Sequence, residues 1–366
     1  MGNDKYNLFV KHDYYFIQKM TQKRNSNIEM LRLVSMLAIV MHHFVAHNID
    51  SLDTVNGSSR IILDFANILF GKIAVCIFLI ITVWFLSDRS QTIQSTLHRM
   101  QVLEREVLFY SISCYLIYSF ILDTFWPKMF ITRFFPVITG EWWFVCAYML
   151  LIFLLPFLCT GLKALNELEH RILTLVLLSF FGLIQFFPYI YDSALSDFSN
   201  VMGVVIITVA TCYCRWYKDI ITPPRKMYKL SLLPIASGLL LMISYIANMA
   251  NIQPFNSMLE RLWLHLQDYY SLPVIIISLS VVIALTEATP HFWPPINRFA
   301  ASSLAIYLIT DTPEAQKILW ERLFPLHLMN NTPIPIITML LISVVICIVC
   351  IGIDQIRSKL FHIIFD

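Results

Sequence analysis

Ten apolar segments, at about 28–47, 61–87, 107–125, 142–160, 172–190, 201–221, 230–250, 271–287, 299–311 and 335–356, follow one another along this chain of 366 residues. About 20 residues of α-helix cross the hydrocarbon core of a bilayer. Each segment reaches that length or comes near it, the one at 299–311 being short. In lipid every backbone N–H and C=O must be satisfied within the protein, so a spanning segment is either a helix or part of a closed barrel. The period-two alternation of barrel strands is absent here. The expected fold is all-α: a polytopic membrane protein of about ten transmembrane helices. Composition agrees, with 58% hydrophobic residues, 14% charged residues and a mean hydropathy of +0.68, whereas a soluble domain is roughly a quarter charged.

Two units are expected, a polar cytoplasmic segment at 1–24 and a single transmembrane domain at 25–366. The first carries Lys5, Lys11, Lys19, Lys23 and Arg24, and the apolar run behind it has no small-residue cleavage site. That run reads as a retained span. With the N-terminus in the cytoplasm, the outside loops hold only Arg60, Lys128, Arg133, Arg261, Lys317 and Arg322, and most other cations fall inside. The bias places both termini in the cytoplasm. A net charge of +2 without a clustered basic face gives no reason to expect a nucleic-acid partner. The eight cysteines lie almost entirely within apolar runs, which argues against a disulfide framework. Cys347 and Cys350 have redox-motif spacing but no His or acid beside them, and read as buried packing.

The first apolar run is interrupted by Arg32 and by the pair His42-His43. Eleven residues of helix bring Arg32 and His43 within about 20° of the same face, roughly 16 Å apart along the axis. Ionisable groups inside a membrane helix are costly and usually mark a working site. His43 is the candidate general base, since imidazole titrates near neutrality and can take a proton from a hydroxyl. The competing reading is a hydrogen-bonded residue that packs helices together. Arg32 offers a planar fork of donors to a phosphate or carboxylate, or pairs with Glu29 three residues earlier.

His43 and His47 have the i, i+4 spacing of two zinc ligands. The sequence offers no HExxH or clustered Cys/His partner, and Asp50 and Asp53 follow only in a loop, so no metal is expected. Between Asp88 and Glu106 lie Arg89, His98, Arg99 and Arg105, suited to an anionic cofactor such as coenzyme A and equally explained by positive-inside charge. Glu141-Trp142-Trp143-Phe144 opens the fourth segment as an interfacial belt or as a platform for a sugar. Asp311 ends the ninth, as a cap, a solvated acid or, with Trp143, a substrate contact.

Several of these pieces, in this order, resemble the bacterial integral-membrane acyltransferase family 3, in particular its surface-polysaccharide group. Ile28-Glu-Met-Leu-Arg32 resembles the opening acidic-x-x-Arg signature, and Arg32 with His43 matches Arg-x10-His. Gly71 to Leu86 is similar to the second-span pattern, with Thr82-Val83-Trp84 where Ser-Gly-aromatic is usual. Trp143-Phe144 to Pro156, and Ser302-Ser303 through Trp320, resemble the fourth span and the late Ile-Tyr-Leu-Ile-His-Asp segment. The resemblance implies a ten-helix O-acyltransferase of the bacterial cytoplasmic membrane, with acetyl-CoA as donor and a glycan or glycolipid hydroxyl as acceptor. It implies His43 as base and Arg32 in support of the reaction or the donor. In two places the chain departs from the family. Arg99 is followed three residues on by Val102 where some members carry a second donor-binding arginine, and Thr310-Asp311 replaces the late His-Asp.

Two other classes fit ten spans with ionisable groups in them. A transporter or flippase for an anionic or sugar-bearing substrate would commonly show internal repeats and matching broken spans, and neither is evident. A membrane scaffold or receptor would carry Arg32 and His43 for stability alone. Beyond the lipid bilayer, acyl-CoA and acceptor, the sequence names no partner and leaves the oligomeric state open.

Overall fold

The computed structural model describes residues 24–48, 55, 57–89, 92–187, 189, 199–218, 232–250, 252–326 and 335–365. The polar segment expected at 1–24 lies outside them apart from Arg24. Every regular element among the described residues is helical, as the sequence leads one to expect. In chain order these are α1 (Ser26–Ala46), α2 (Gly57–Leu86), α3 (Ile93–Leu122), α4 (Pro127–Thr132), α5 (Trp143–Lys163), α6 (Glu167–Ile184) and α7 (Ser199–Trp216). Then follow α8 (Leu232–Met249), α9 (Asn256–Leu266), α10 (Leu272–Glu287), α11 (Pro294–Ala300), α12 (Ser303–Thr310), α13 (Pro313–Gln316), which runs on into a π-helix at Lys317–Leu323, and α14 (Pro335–Phe365). By length and composition, α1, α3, α5, α8 and α14 are candidate membrane spans. Phe70–Leu86 of α2, Val201–Trp216 of α7 and α10 are shorter apolar helices.

The helix α1 is the axis of the molecule. Its run contains neither Gly nor Pro, and 61% of its apolar window is buried against 22% for α8. It packs along α2 and also meets α10, α11, α12 and α14, burying Ile28, Met36, Ile39, Val40 and Phe44. Glu29, Ser35 and His43 of α1 are buried, so these polar side chains face the packed interior rather than lipid. The start of α1 is fixed from both sides. Asn25 accepts from the Asn27 amide at 3.1 Å. Ser26 donates its amide to His291 O at 2.8 Å and its hydroxyl to Asn297 Oδ1 at 2.8 Å.

The ninth apolar segment does not form one crossing helix. It is split into α11 and α12 at Ala301-Ser302. The eight residues of α12 rise about 12 Å, well short of a hydrocarbon core of about 30 Å. Proline punctuates both sides: Pro294-Pro295 starts α11, and Pro313 starts α13 after Thr312, whose side chain accepts from the Ala315 amide. A residue before proline is pushed out of the helical region, so α12 stops and the chain turns at Asp311. The turn places Asp311 beside the end of α1.

Arg133, expected as an outside-loop cation, is buried at 6% exposure. Its Nη1 donates to Glu141 and its Nη2 to Glu314 Oε1 at 2.7 Å, and its guanidinium lies 5.1 Å from the Tyr115 ring centre. Burial pushes the Glu141 carboxyl above its ordinary value, against the pull of Ser111 and Arg133. This pairing ties the α4 end and the α5 start to α13, three residues after Asp311.

Candidate active site

Near the start of α1 a cavity of about 730 Å³ opens between α1, α2, α3, α5 and α12. Its wall carries Arg24, Arg32, Arg89, His98 and Arg99, with Glu29 and Glu106 as the acids. Arg32 Nη1 donates to both oxygens of Glu29, at 3.1 and 3.2 Å. A guanidinium has five N–H donors in a rigid fork, so an anion can be met in addition. Four arginines around one cavity give it a positively charged wall. Glu106 sits against Arg357 at 3.4 Å, and Arg357 in turn holds Asp354 at 2.7 Å, which anchors this wall to α14.

Farther along α1 a smaller cavity of about 60 Å³ holds His42, His43, Lys72, Trp143, Phe144 and Tyr307 on its wall. α1, α2, α5 and α12 contribute to both cavities. Between them lies an aromatic pair one turn apart on α5: Phe144 lines the small cavity, Tyr148 the large one, and their rings stack at 5.8 Å. Thr82 donates to the Tyr148 hydroxyl at 3.2 Å.

The three histidines of α1 differ in their settings. His42 Nδ1 lies 2.6 Å from Asn67 O, close against Gly71, where a Cβ would stand 2.5 Å from His42 Cγ. Only a glycine fits there. His43 is buried, packs against the Tyr307 ring at 5.9 Å and has its Nε2 3.8 Å from Asp311 Oδ1. That distance is too long for a hydrogen bond but close enough for strong attraction of a charged imidazolium. His43 Nδ1 is buried and makes no hydrogen bond among the described residues. His47 Nε2 bonds Asp311 Oδ1 at 2.9 Å, and Gln316 Nε2 donates to the same oxygen at 3.3 Å. One carboxylate thus faces two imidazoles.

The family model of an acyltransferase domain, that of acyltransferase family 3, matches residues 25–352. The chain belongs to this family. Neither a curated protein nor a solved structure matches it. The match spans α1 to most of α14, so both cavities belong to one membrane acyltransferase.

The acyltransferase brings its sequence-predicted residues together in two groups. Arg32 and Arg99 share the large cavity, 67 positions apart in sequence. His43 and Trp143 share the small one, and Asp311 stands at His43. His47, set aside for want of partners, proves to be the residue bonded to Asp311. Lys72 and Tyr307 went unnoticed. Lys72 carried a usable signal, an ionisable residue inside an apolar segment, and in the acyltransferase it lies 5.3 Å over the Trp143 ring and 3.4 Å from Asp268. Tyr307 carried only its place as the tyrosine of the late Ile-Tyr-Leu-Ile segment, which does not say that its ring packs on His43. The eight cysteines are free, and six of them are buried.

Proposed function

We propose that this membrane acyltransferase moves an acetyl group from acetyl-CoA to a hydroxyl of a cell-surface polysaccharide, glycolipid or lipid-linked sugar, at the bacterial cytoplasmic membrane. The observation that carries the reading is the pairing of an arginine-rich cavity with a histidine cavity, the two sharing four of their helices. Arg32 and Arg99 would hold the phosphates of the donor, whose long pantetheine arm suits the roughly 16 Å rise from Arg32 to His43. Trp143 would offer its ring face to the sugar, with its exposed position at 40% supporting that use.

In this reading His43 is the general base. Asp311 near Nε2 favours the tautomer protonated there, and Nδ1 keeps the lone pair. The acceptor hydroxyl gives its proton to Nδ1 while its oxygen attacks the thioester carbonyl. The tetrahedral intermediate carries an oxyanion, for which Lys72 is the cation at hand. Collapse breaks the carbon–sulfur bond, and the proton on His43 passes to the departing thiolate. Asp311 steadies the imidazolium between these two transfers, as a carboxylate does in other His-based acyl transfer sites.

The test is coenzyme A release by purified protein mixed with acetyl-CoA and acceptor glycan, alongside mass spectrometry of the acceptor. Wild type is expected to release thiol in step with an acetyl mass gain. His43→Ala protein that folds normally and transfers at the wild-type rate would sink the assignment of the base.

A further inference from the structure

His43 and His47 leave α1 one turn apart on the same side, and Asp311 at the end of α12 closes a triangle with them. One ligand atom from each of the three lies within 4.8 Å of the others. The Asp311 Oδ1 separations are 2.9 Å to His47 Nε2 and 3.8 Å to His43 Nε2. In a tetrahedral zinc site with bonds of about 2.0–2.1 Å, neighbouring ligand atoms stand about 3.3 Å apart. The two separations to Asp311 bracket that value and the two imidazoles lie within 4.8 Å of each other, so rotation of the side chains about their χ angles can bring all three onto one ion. Two imidazoles and a carboxylate suit zinc and its transition-metal neighbours, whereas magnesium and calcium take oxygen ligands. Gln316 Nε2 on Asp311 Oδ1 supplies the kind of outer hydrogen bond that orients a ligating carboxylate. His47, with a side chain 21% exposed, gives an ion a way in.

We propose that His43, His47 and Asp311 form a site for one divalent transition-metal ion of the zinc class, and that its occupancy switches acyl transfer off. The switch rests on the reading of His43 as the base. Coordination through Nε2 needs the lone pair of that nitrogen, so the ring proton moves from Nε2 to Nδ1. No proton is gained or lost in the shift. A ring metallated at Nε2 and protonated at Nδ1 has no lone pair left to accept the hydroxyl proton. The ion also occupies Asp311, which otherwise steadies the imidazolium. Zinc is therefore an inhibitor here, and the free ring is the active one.

The experiment uses full-length protein, purified in detergent and stripped with a chelator, then titrated with zinc chloride. Uptake is followed by calorimetry and elemental analysis, and turnover by coenzyme A release. One ion per chain is expected, with turnover falling at the zinc concentration that half-fills the site, and with millimolar magnesium having no effect. His47→Ala and Asp311→Asn, each checked for normal helicity and monodispersity, are expected to weaken uptake at least tenfold. His47→Ala is compared with its own zinc-free rate and should require correspondingly more zinc for inhibition. Lack of one-to-one uptake, or uptake that survives both substitutions, overturns the site whatever the turnover. One-to-one uptake with turnover unchanged or raised overturns the switch. Wild-type transfer by His43→Ala protein overturns the base reading instead, independently of the uptake measurement.

Discussion

Asp311→Asn isolates the electrostatic part of the proposed mechanism. Asparagine has nearly the same shape and can still accept from His47 and Gln316, so the turn after α12 should survive. The substitution removes a negative charge 3.8 Å from His43 Nε2. At that distance, and at an effective dielectric constant of about 20, a carboxylate stabilises an imidazolium by about 4 kcal/mol. Each 1.36 kcal/mol is a factor of ten in rate, which sets a ceiling of about 10³-fold. The shorter bond from His47 draws on the same oxygen, so a loss of about 10²–10³-fold in kcat is expected. KM for acetyl-CoA should stay within about twofold, because Asp311 is not on the arginine-rich wall. Steady-state thiol release at saturating acceptor, with thermal unfolding as a control for folding, measures both quantities. His47→Ala removes the competitor for Asp311 and should cost less than about tenfold. A rate for Asp311→Asn within about threefold of wild type, in protein of unchanged stability, would refute the view that this carboxylate supports a charged His43.

The packing and the donor cavity give further expectations. Gly71→Ala places a methyl 2.5 Å from His42 Cγ and should cost about 1–3 kcal/mol as well as lower turnover, since His42 adjoins His43. Gly238→Ala on α8, where a Cβ meets nothing within 4 Å, should be neutral or stabilising in the same thermal assay. Arg133→Met leaves Glu141 and Glu314 buried and unpaired, with an expected loss of about 3–5 kcal/mol in detergent unfolding and partial recovery on adding Glu314→Gln. Arg32→Gln and Arg99→Gln should each raise KM for acetyl-CoA by about 10–100-fold, the worth of a hydrogen bond to a charged group. KM for the acceptor should not change, and an unaltered donor KM in both variants would remove these arginines from donor binding.

What the sequence made legible, and what it hid, divides along the distance over which residues act. Arg32 and His43 are joined by one helix, whose geometry turns a spacing of eleven residues into a shared face and a depth. Apolar run lengths, likewise local, announced the all-helical fold. The run at 299–311, short as a span in the sequence, is shorter still in the fold: it breaks at Ala301-Ser302, and Pro313 stops α12 behind Thr312. Arg99 read equally as a donor contact and as ordinary cytoplasmic charge, because only the packing of α3 against α5 and α12 brings it to the cavity of Arg32. Arg133 read as a loop cation because Glu141 and Glu314 reach it from different parts of the chain, the latter 181 residues away.

Asp311 shows why such pairings resist a reading of spacing alone. It lies 264 residues from His47, and no periodicity relates them. Thr310 stands where the family's late segment carries a histidine, and on sequence that position has lost its imidazole. In the folded protein an imidazole is nonetheless bonded to Asp311, supplied by His47 at the C-cap of α1. A carboxylate at the tip of α12 is insensitive to which element the ring comes from, since its electrostatic interaction depends on distance and surroundings and not on connectivity. The i, i+4 pair His43 and His47, incomplete along the chain, is completed across it by the turn that the prolines impose. The turn that ends this segment at Asp311 therefore delivers the acid to the two imidazoles. A span running straight through from 299 to 311 would have no reason to stop at Asp311.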